Sequence, residues 1–227
     1  MNKMLTAALI AGLASGAASV QAYEAGDWIL RLGAVTVSPN EDSDKIVLPT
    51  SPPTVLDGVS VDDDTQLSII GAYMVSDNFG VELLAATPFE HSMSIKGTNL
   101  DAGTSKQLPP TLMAQWYPRG NQSGWQPYFG VGVNYTIFFD ESADKDLKDA
   151  LGAIIGAEKV DLSLENSFGL AAQAGVDIPL SGNWALNAGV WYIDIGTTAK
   201  VKTDVGTVKF DVDIDPWVYN IGIAYKF

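Results

Sequence analysis

The chain has no cysteine, which removes disulfides and thiolate chemistry from both its fold and its function. Basic residues are few, 13 lysines and arginines against 27 aspartates and glutamates, for a formal charge of −14. Nucleic acid is therefore not an expected partner, because phosphate contacts need a basic face. There is a single histidine, His91. No segment beyond the amino terminus reaches 18 uninterrupted apolar residues, so no transmembrane helix is expected. No phosphate loop, zinc spacing or dinucleotide fingerprint occurs, and no cofactor or metal is expected. The acidic residues Asp42, Asp44, Asp57, Asp62, Asp63 and Asp64 lack the register of a calcium loop. They read as solvated charge, with bridging to lipopolysaccharide through divalent ions as the alternative.

What is present begins with a leader. Residues 1–22 carry Lys3, an apolar run and the small-residue ending Val20-Gln21-Ala22, the pattern of a secretory signal peptide cut after Ala22. Residues 23–227 show no linker or change of composition and read as one domain. In the last stretch, DPWVYNIGIAYKF, the residues Trp217, Tyr219, Ile221, Ile223, Tyr225 and Phe227 alternate with Val218, Asn220, Gly222, Ala224 and Lys226. One face of that strand is greasy and the other small and polar. Few stretches could supply a second layer to cover the greasy face, whereas a barrel strand facing lipid needs no cover.

Alternation and turn signals predict eight strands: Trp28 to Val37, Gln66 to Met74, Phe79 to Phe89, Leu108 to Tyr117, Pro127 to Phe139, Phe168 to Ile178, Trp184 to about Lys200, and Asp211 to Phe227. Short turns at Ser76-Asp77-Asn78, Pro118 to Gln126 and Leu180 to Asn183 alternate with long connections. That asymmetry predicts an antiparallel transmembrane β-barrel with periplasmic turns and long extracellular loops. Aromatics sort into two belts. Trp28, Phe79, Trp116, Tyr117, Trp125, Tyr128, Phe129, Trp184, Tyr225 and Phe227 fall at the periplasmic ends, and Phe89, Tyr135, Phe139, Tyr192, Trp217 and Tyr219 fall higher. In the third connection Leu147, Leu151, Ile154 and Ile155 share one face of a short helix within 144–160. That helix either caps the barrel mouth or helps to capture apolar solutes.

The strings VELLAATPF (81–89), LPPTLMAQWY (108–117), GVGVNYTIFFD (130–140), VWYID (190–194) and DPWVYNIGIAYKF, with EAGDW (24–28) as the mature start, resemble the OmpW family of small outer-membrane proteins. The resemblance covers all eight strands. It implies an eight-stranded barrel in the outer membrane, among its lipids and lipopolysaccharide, that passes small hydrophobic molecules. The first connection, with SPPTV and the acidic run 62–64, matches no part of the family pattern, so it leaves the choice of substrate open.

Parity along the strands assigns the lumen independently of that resemblance. The periplasmic half points Arg31, Glu82, Gln115, Gln173, Asp177, Asn187 and Lys226 inward, and the outer half points Val35, Val37, Ile70, Leu84, Ala86, Phe138, Gly169, Ala171, Trp191 and Val218 inward. An eight-stranded barrel has room for little beyond side chains, so the lower layer reads as an ionic plug. The upper layer would leave an apolar funnel with Leu84 and Trp191 as its constriction, or these residues simply pack the barrel. A solute stopped by a charged floor would leave through the wall. Pro88, Pro109 and Pro110 mark a seam between the third and fourth strands, because proline cannot donate to a ladder. Folding the chain about the intervening loop sets Pro88 opposite Pro110. Alternatively these prolines only end their strands.

Catalysis is not expected. Glu90, His91 and Ser92 are adjacent, and neighbouring strand residues point to opposite faces. Two readings remain, a passive channel for small hydrophobic molecules and a surface or structural barrel with a packed lumen whose loops dock a phage or bacteriocin or secure the envelope.

Overall fold

The computed structural model describes residues 22–227, and all of the expected leader except Ala22 lies outside them. Eight antiparallel strands form the barrel: β1 (Trp28–Ser38), β2 (Asp64–Ser76), β3 (Phe79–Ala86), β4 (Thr111–Trp116), β5 (Gln126–Ala143), β6 (Ser167–Ser181), β7 (Trp184–Ile193) and β8 (Trp217–Lys226). Each pairs with its sequence neighbours, and β8 closes onto β1 in register from Ile29↔Lys226 to Ser38↔Trp217. Closure removes the open edges that would otherwise recruit another chain. The alternation seen in the sequence becomes two surfaces: in β8, Val218, Asn220 and Ala224 are buried, while Trp217, Tyr219, Ile221 and Ile223 are exposed. The connection between β6 and β7 is tight, with Gly182 at φ +55°, a conformation that glycine adopts without strain.

The exterior carries an apolar band that includes Leu67, Ile69, Val131, Leu170 and Ile221. Below it lie Trp28, Phe79, Trp116, Phe129 and Trp184, and above it Tyr135, Phe168, Trp217 and Tyr219, all exposed. Three rings expected in the belts face inward instead. Tyr117 and Tyr128 are fully buried at the foot of the barrel, and Phe89 is buried at its outer end.

The long connections are mostly strands rather than loops. Phe89–Ile95 pairs with Asp101–Leu108, which continues onto the outer half of β5 through Ile137↔Leu108. Gly196–Thr203 and Gly206–Asp213 form a hairpin between β7 and β8, and Val160–Leu164 pairs with its first strand. Trp191, Ile193, Ile195, Thr197, Ala199 and Val201 are buried at every second position, so the inner wall runs unbroken from the barrel into this extension. The seventh and eighth strands read from the sequence are each divided. Their breaks lie at Asp194–Ile195 and Ile214–Pro216, where Asp215 sits at φ +38° and its carboxylate accepts from the Ile195 amide at 3.1 Å.

The helix α1 (Lys145–Ile155) lies within the expected stretch 144–160. Asp144 caps it by accepting from the Asp146 amide at 2.9 Å, and Gly156 ends it in the left-handed region, its amide reaching Gly152 O at 3.0 Å. Leu147 and Leu151 are buried, whereas Ile154 faces outward.

Candidate functional site

The floor of the barrel is organised around Arg31 on β1, which is fully buried. Its Nη1 donates to Glu82 Oε2 at 3.0 Å, its Nη2 to Asp177 Oδ2 at 2.6 Å and to the Tyr117 hydroxyl at 3.1 Å, and its Nε to Asp177 Oδ1 at 3.2 Å. Its guanidinium carbon stands 4.8 Å from the centre of the Tyr128 ring. Gln115 donates to Glu82 at 2.7 Å and to Gln173 at 3.0 Å, and Gln173 donates to the other Glu82 oxygen at 2.8 Å. Asn187 and the Tyr23 hydroxyl each donate to Asp177 at 2.8 Å. A planar fork with several fixed donors is the group that can hold two carboxylates at once.

The structure thus brings Arg31, Glu82, Gln115, Gln173, Asp177 and Asn187 into one network across the barrel. Lys226 stands apart, 3.2 Å from Asp27 and donating to Ala22 O at 2.8 Å, where it fixes the amino-terminal segment. Tyr23, Tyr117 and Tyr128 belong to the network but were not assigned to it from the sequence. Tyr128 shares the inward parity of Gly130 and Asn134, which is the signal that could have placed it.

Tyr128 fits because two glycines face it. Gly175 and Gly189 are cross-strand partners, and a Cβ on Gly175 would lie 2.3 Å from Tyr128 Cζ. Gly175→Val must displace that ring and its contacts with Arg31 and Asn187. The expected loss is about 1–3 kcal/mol, read from the urea midpoint of the folded barrel in lipid.

Above the floor the barrel is filled rather than open. Ser68 donates to Asn220 at 2.6 Å, Asn220 to Asn187 at 3.0 Å, and Asn134 to Thr111 at 3.0 Å, a polar layer that parity alone did not emphasise. Ile70 and Trp191 are fully buried, and the Trp191 ring packs over Gly189. Leu84 and Trp191 therefore do not flank an open path at this level. Val35, Leu84 and Ala86 line a small cavity of about 10 Å³, and Phe138 lines a larger one further out.

That larger cavity, about 70 Å³, lies in the extension beyond the upper aromatic belt. Ile46 and Leu56 from the first long connection, Met93 and Ile95, Leu147 and Leu151 of α1, Val201 and Phe210 of the last hairpin, and Ile214 just after it enclose it. It has room for several water-sized groups, since one water needs roughly 10–15 Å³ by the same measure. The sequence divides this lining between long connections and the outer ends of the seventh and eighth predicted strands, which hides the enclosure, although the alternation of Val208, Phe210, Val212 and Ile214 is a visible signal. His91 lines this cavity with Nδ1 2.6 Å from Asp62 O and Nε2 2.9 Å from Gln107 Nε2. Burial pushes the ring below the ordinary imidazole pKa against the opposing pull of the Asp62 carbonyl and the charges of Asp62, Asp63 and Asp64, so it is neutral at pH 7. Glu90 and Ser92 are exposed on the other face of that strand.

Between floor and cavity the wall has a break. β3 and β4 pair up to Leu84↔Thr111, and the next pair above is Phe89↔Gln107. Residues 85–88 therefore face 108–110 without pairing, four residues against three. Leu84 and Phe89 both point inward although five positions apart, which requires one extra residue on that side. Pro88 is that residue, because β3 keeps its register with β2 through Ser68↔Ala86 and the Thr87 amide reaches Leu67 O at 3.0 Å. The expected facing of Pro88 and Pro110 is corrected accordingly. Pro88 lies one step below Phe89, beside Leu108, and Pro110 lies lower, next to Thr111. On the far flank the Tyr135 amide still reaches Pro110 O at 3.1 Å, so the gap is confined to one seam and opens at the level of the upper belt. Ala85, Ala86 and Pro109 line the small cavity immediately behind it.

A closed barrel with an apolar exterior between two aromatic belts, tight turns at one end and a long extension at the other is an outer-membrane β-barrel protein. No helix among the described residues is long and apolar enough to cross a membrane. The OmpW family profile matches residues 24–227, and the chain belongs to that family. It is 43% identical to outer membrane protein W of Vibrio cholerae over 97% of this chain and 96% of that one, and 42% identical to outer membrane protein W of Escherichia coli over the full length of both. The crystal structure of OprG from Pseudomonas aeruginosa superposes with a TM-score of 0.81 at 43% identity, covering 92% of this chain and 99% of that one.

Proposed function

We propose that this protein carries small hydrophobic molecules passively across the outer membrane. The reading rests above all on one observation: an apolar cavity lies outside the bilayer, above a floor closed by ionic hydrogen bonds and beside a break in the wall. In this reading a solute leaves water for the cavity, is denied the periplasm by Arg31 and its partners, and passes sideways through the seam bounded by Pro88, Pro109 and Pro110 into hydrocarbon. The small cavity lined by Ala85 and Pro109 lies on that route, and because it holds no more than one water-sized group a passing solute must displace its walls; the stacked Phe89 and His91 rings, 6.1 Å apart, stand between it and the larger one. Burial of apolar surface drives each step, and no charge enters low dielectric.

Ala199→Trp tests the reading at the entrance. Ala199 is buried against the large cavity, and an indole there fills it without touching floor or seam. The prediction is that uptake of a fluorescent apolar solute by vesicles with a lipopolysaccharide outer leaflet falls to the protein-free rate. Uptake that persists in a folded Ala199→Trp barrel contradicts entry through this cavity.

A further inference from the structure

The large cavity receives solute from water only if part of its wall moves, because Ile46, Leu48, Ala199 and Phe210 in its lining are all buried. One part of that wall is held by apolar contact alone. It is the hairpin of the first long connection, Ile46–Leu48 paired with Thr54–Leu56. The pair joins no other strand, and residues 45–57 make no hydrogen bond or ion pair with any other described residue. Ile46, Leu48 and Leu56 line the cavity, while the cross-strand partners Val47 and Val55 are exposed on the opposite face. Within itself the hairpin is firm. Its legs are joined by the pairs Ile46↔Leu56, Val47↔Val55 and Leu48↔Thr54, and at its tip the Thr50 hydroxyl accepts from the Thr54 amide at 2.7 Å.

Both legs are pinned at one place. The Asp44 amide donates to Asp211 O and the Lys96 amide to Gly58 O, each at 2.9 Å, and the Val59 amide donates to Ser43 Oγ at 2.9 Å, which ties one leg to the other. Gly58 stands at φ +91°, and a Cβ there would lie 2.1 Å from Ser43 Oγ, so only glycine lets the two legs lie this close. The helix α1, which also lines the cavity, is fixed differently. The Asp144 amide reaches Ala102 O at 3.0 Å before it and the Glu158 amide reaches Asp204 Oδ1 at 3.0 Å after it. Its 11 residues hold those points about 16 Å apart. An element fixed at both ends cannot swing, whereas one fixed at a single point can. We infer that residues 45–57 form a lid that swings as one body about Asp44 and Gly58 and admits solute from water to the cavity. Opening breaks no hydrogen bond and exposes only Ile46, Leu48 and Leu56. This rests on the reading of the cavity as a solute site and adds how solute reaches it.

The chain has no cysteine, so Ala199→Cys places a single thiol on the cavity wall, and its labelling by N-ethylmaleimide in lipid nanodiscs reports opening. Replacing residues 46–56 by Asn-Gly, a two-residue turn from Lys45 to Asp57, removes the lid and takes no hydrogen bond from the rest of the chain. Labelling should accelerate about a hundredfold or more, the protection conferred by burying three aliphatic side chains. Leu48→Ser, which keeps the hairpin and weakens its seat, should accelerate it about tenfold. A thiol introduced instead by Ala171→Cys, buried in the barrel, should stay equally slow with and without the lid. In the protein with its lid, n-hexane should slow labelling of the Ala199→Cys thiol. Rates unchanged by the deletion and by Leu48→Ser while hexane still protects, or equal acceleration at both thiols, overturn the lid and leave the cavity reading. Absence of protection by hexane removes that reading, and the lid with it.

Discussion

Arg31→Met should destabilise the barrel by about 3–5 kcal/mol, because it leaves Glu82 and Asp177 buried without their cation. The substituted side chain has a similar volume, so the loss reports charge and hydrogen bonding rather than a hole. Arg31→Lys should recover only part of it, since an ammonium is a point charge and cannot span both carboxylates as the fork does. The triple variant Arg31→Met, Glu82→Gln and Asp177→Asn should recover most of it, because a neutral hydrogen-bonded replacement avoids the stranded charges. Urea unfolding of the lipid-embedded barrel, followed by the mobility difference between folded and unfolded chains, measures all three. An Arg31→Met barrel within about 1 kcal/mol of the parent would show that the network does not close the floor.

Sealing the seam should abolish lateral release. The physical defect is one extra residue and missing amide donors, so substituting prolines alone leaves the bulge in place. Deleting Pro88 together with Pro109→Val and Pro110→Thr equalises the two sides and lets Ala85, Ala86 and Thr87 pair across to residues 108–110. Valine suits the buried position of Pro109, and threonine the exposed position of Pro110. Three restored pairs at about 1 kcal/mol each oppose opening by roughly a hundredfold. Uptake in vesicles with a lipopolysaccharide outer leaflet should then fall to the protein-free rate, with the cavity still binding its solute. A folded, sealed barrel that still delivers solute at the original rate rules out this route.

The eight barrel strands were legible because each carries one lipid face and one packed face, and a period of two survives where both faces are constrained. The same logic placed Arg31, Glu82, Gln115, Gln173, Asp177 and Asn187 inside, and the helical spacing of Leu147, Leu151, Ile154 and Ile155 placed α1. The extension was not legible as a wall. Its strands repeat the barrel's alternation, so Gly196 to Lys200 and Asp211 to Asp213 were absorbed into the seventh and eighth strands. Length was the neglected signal, since a tilted strand crosses a bilayer in roughly 9–11 residues. Tyr117 and Tyr128 were mistaken for belt residues because a ring beside a turn has the same height whether it points out or in. The register at Pro88 was hidden for a different reason. A bulge is an extra residue in an otherwise regular pattern, and it becomes visible only when Leu84 and Phe89 are both known to face inward.

The most direct measurement is the initial rate at which a fluorescent apolar solute added outside crosses a lipopolysaccharide outer leaflet containing the unsubstituted protein, compared with the same vesicles lacking it. The account predicts a rate that rises in proportion to the amount of folded barrel while an impermeant ion held inside stays there. A solute rate equal to that of protein-free vesicles, or ion leakage rising in step with solute entry, would contradict it.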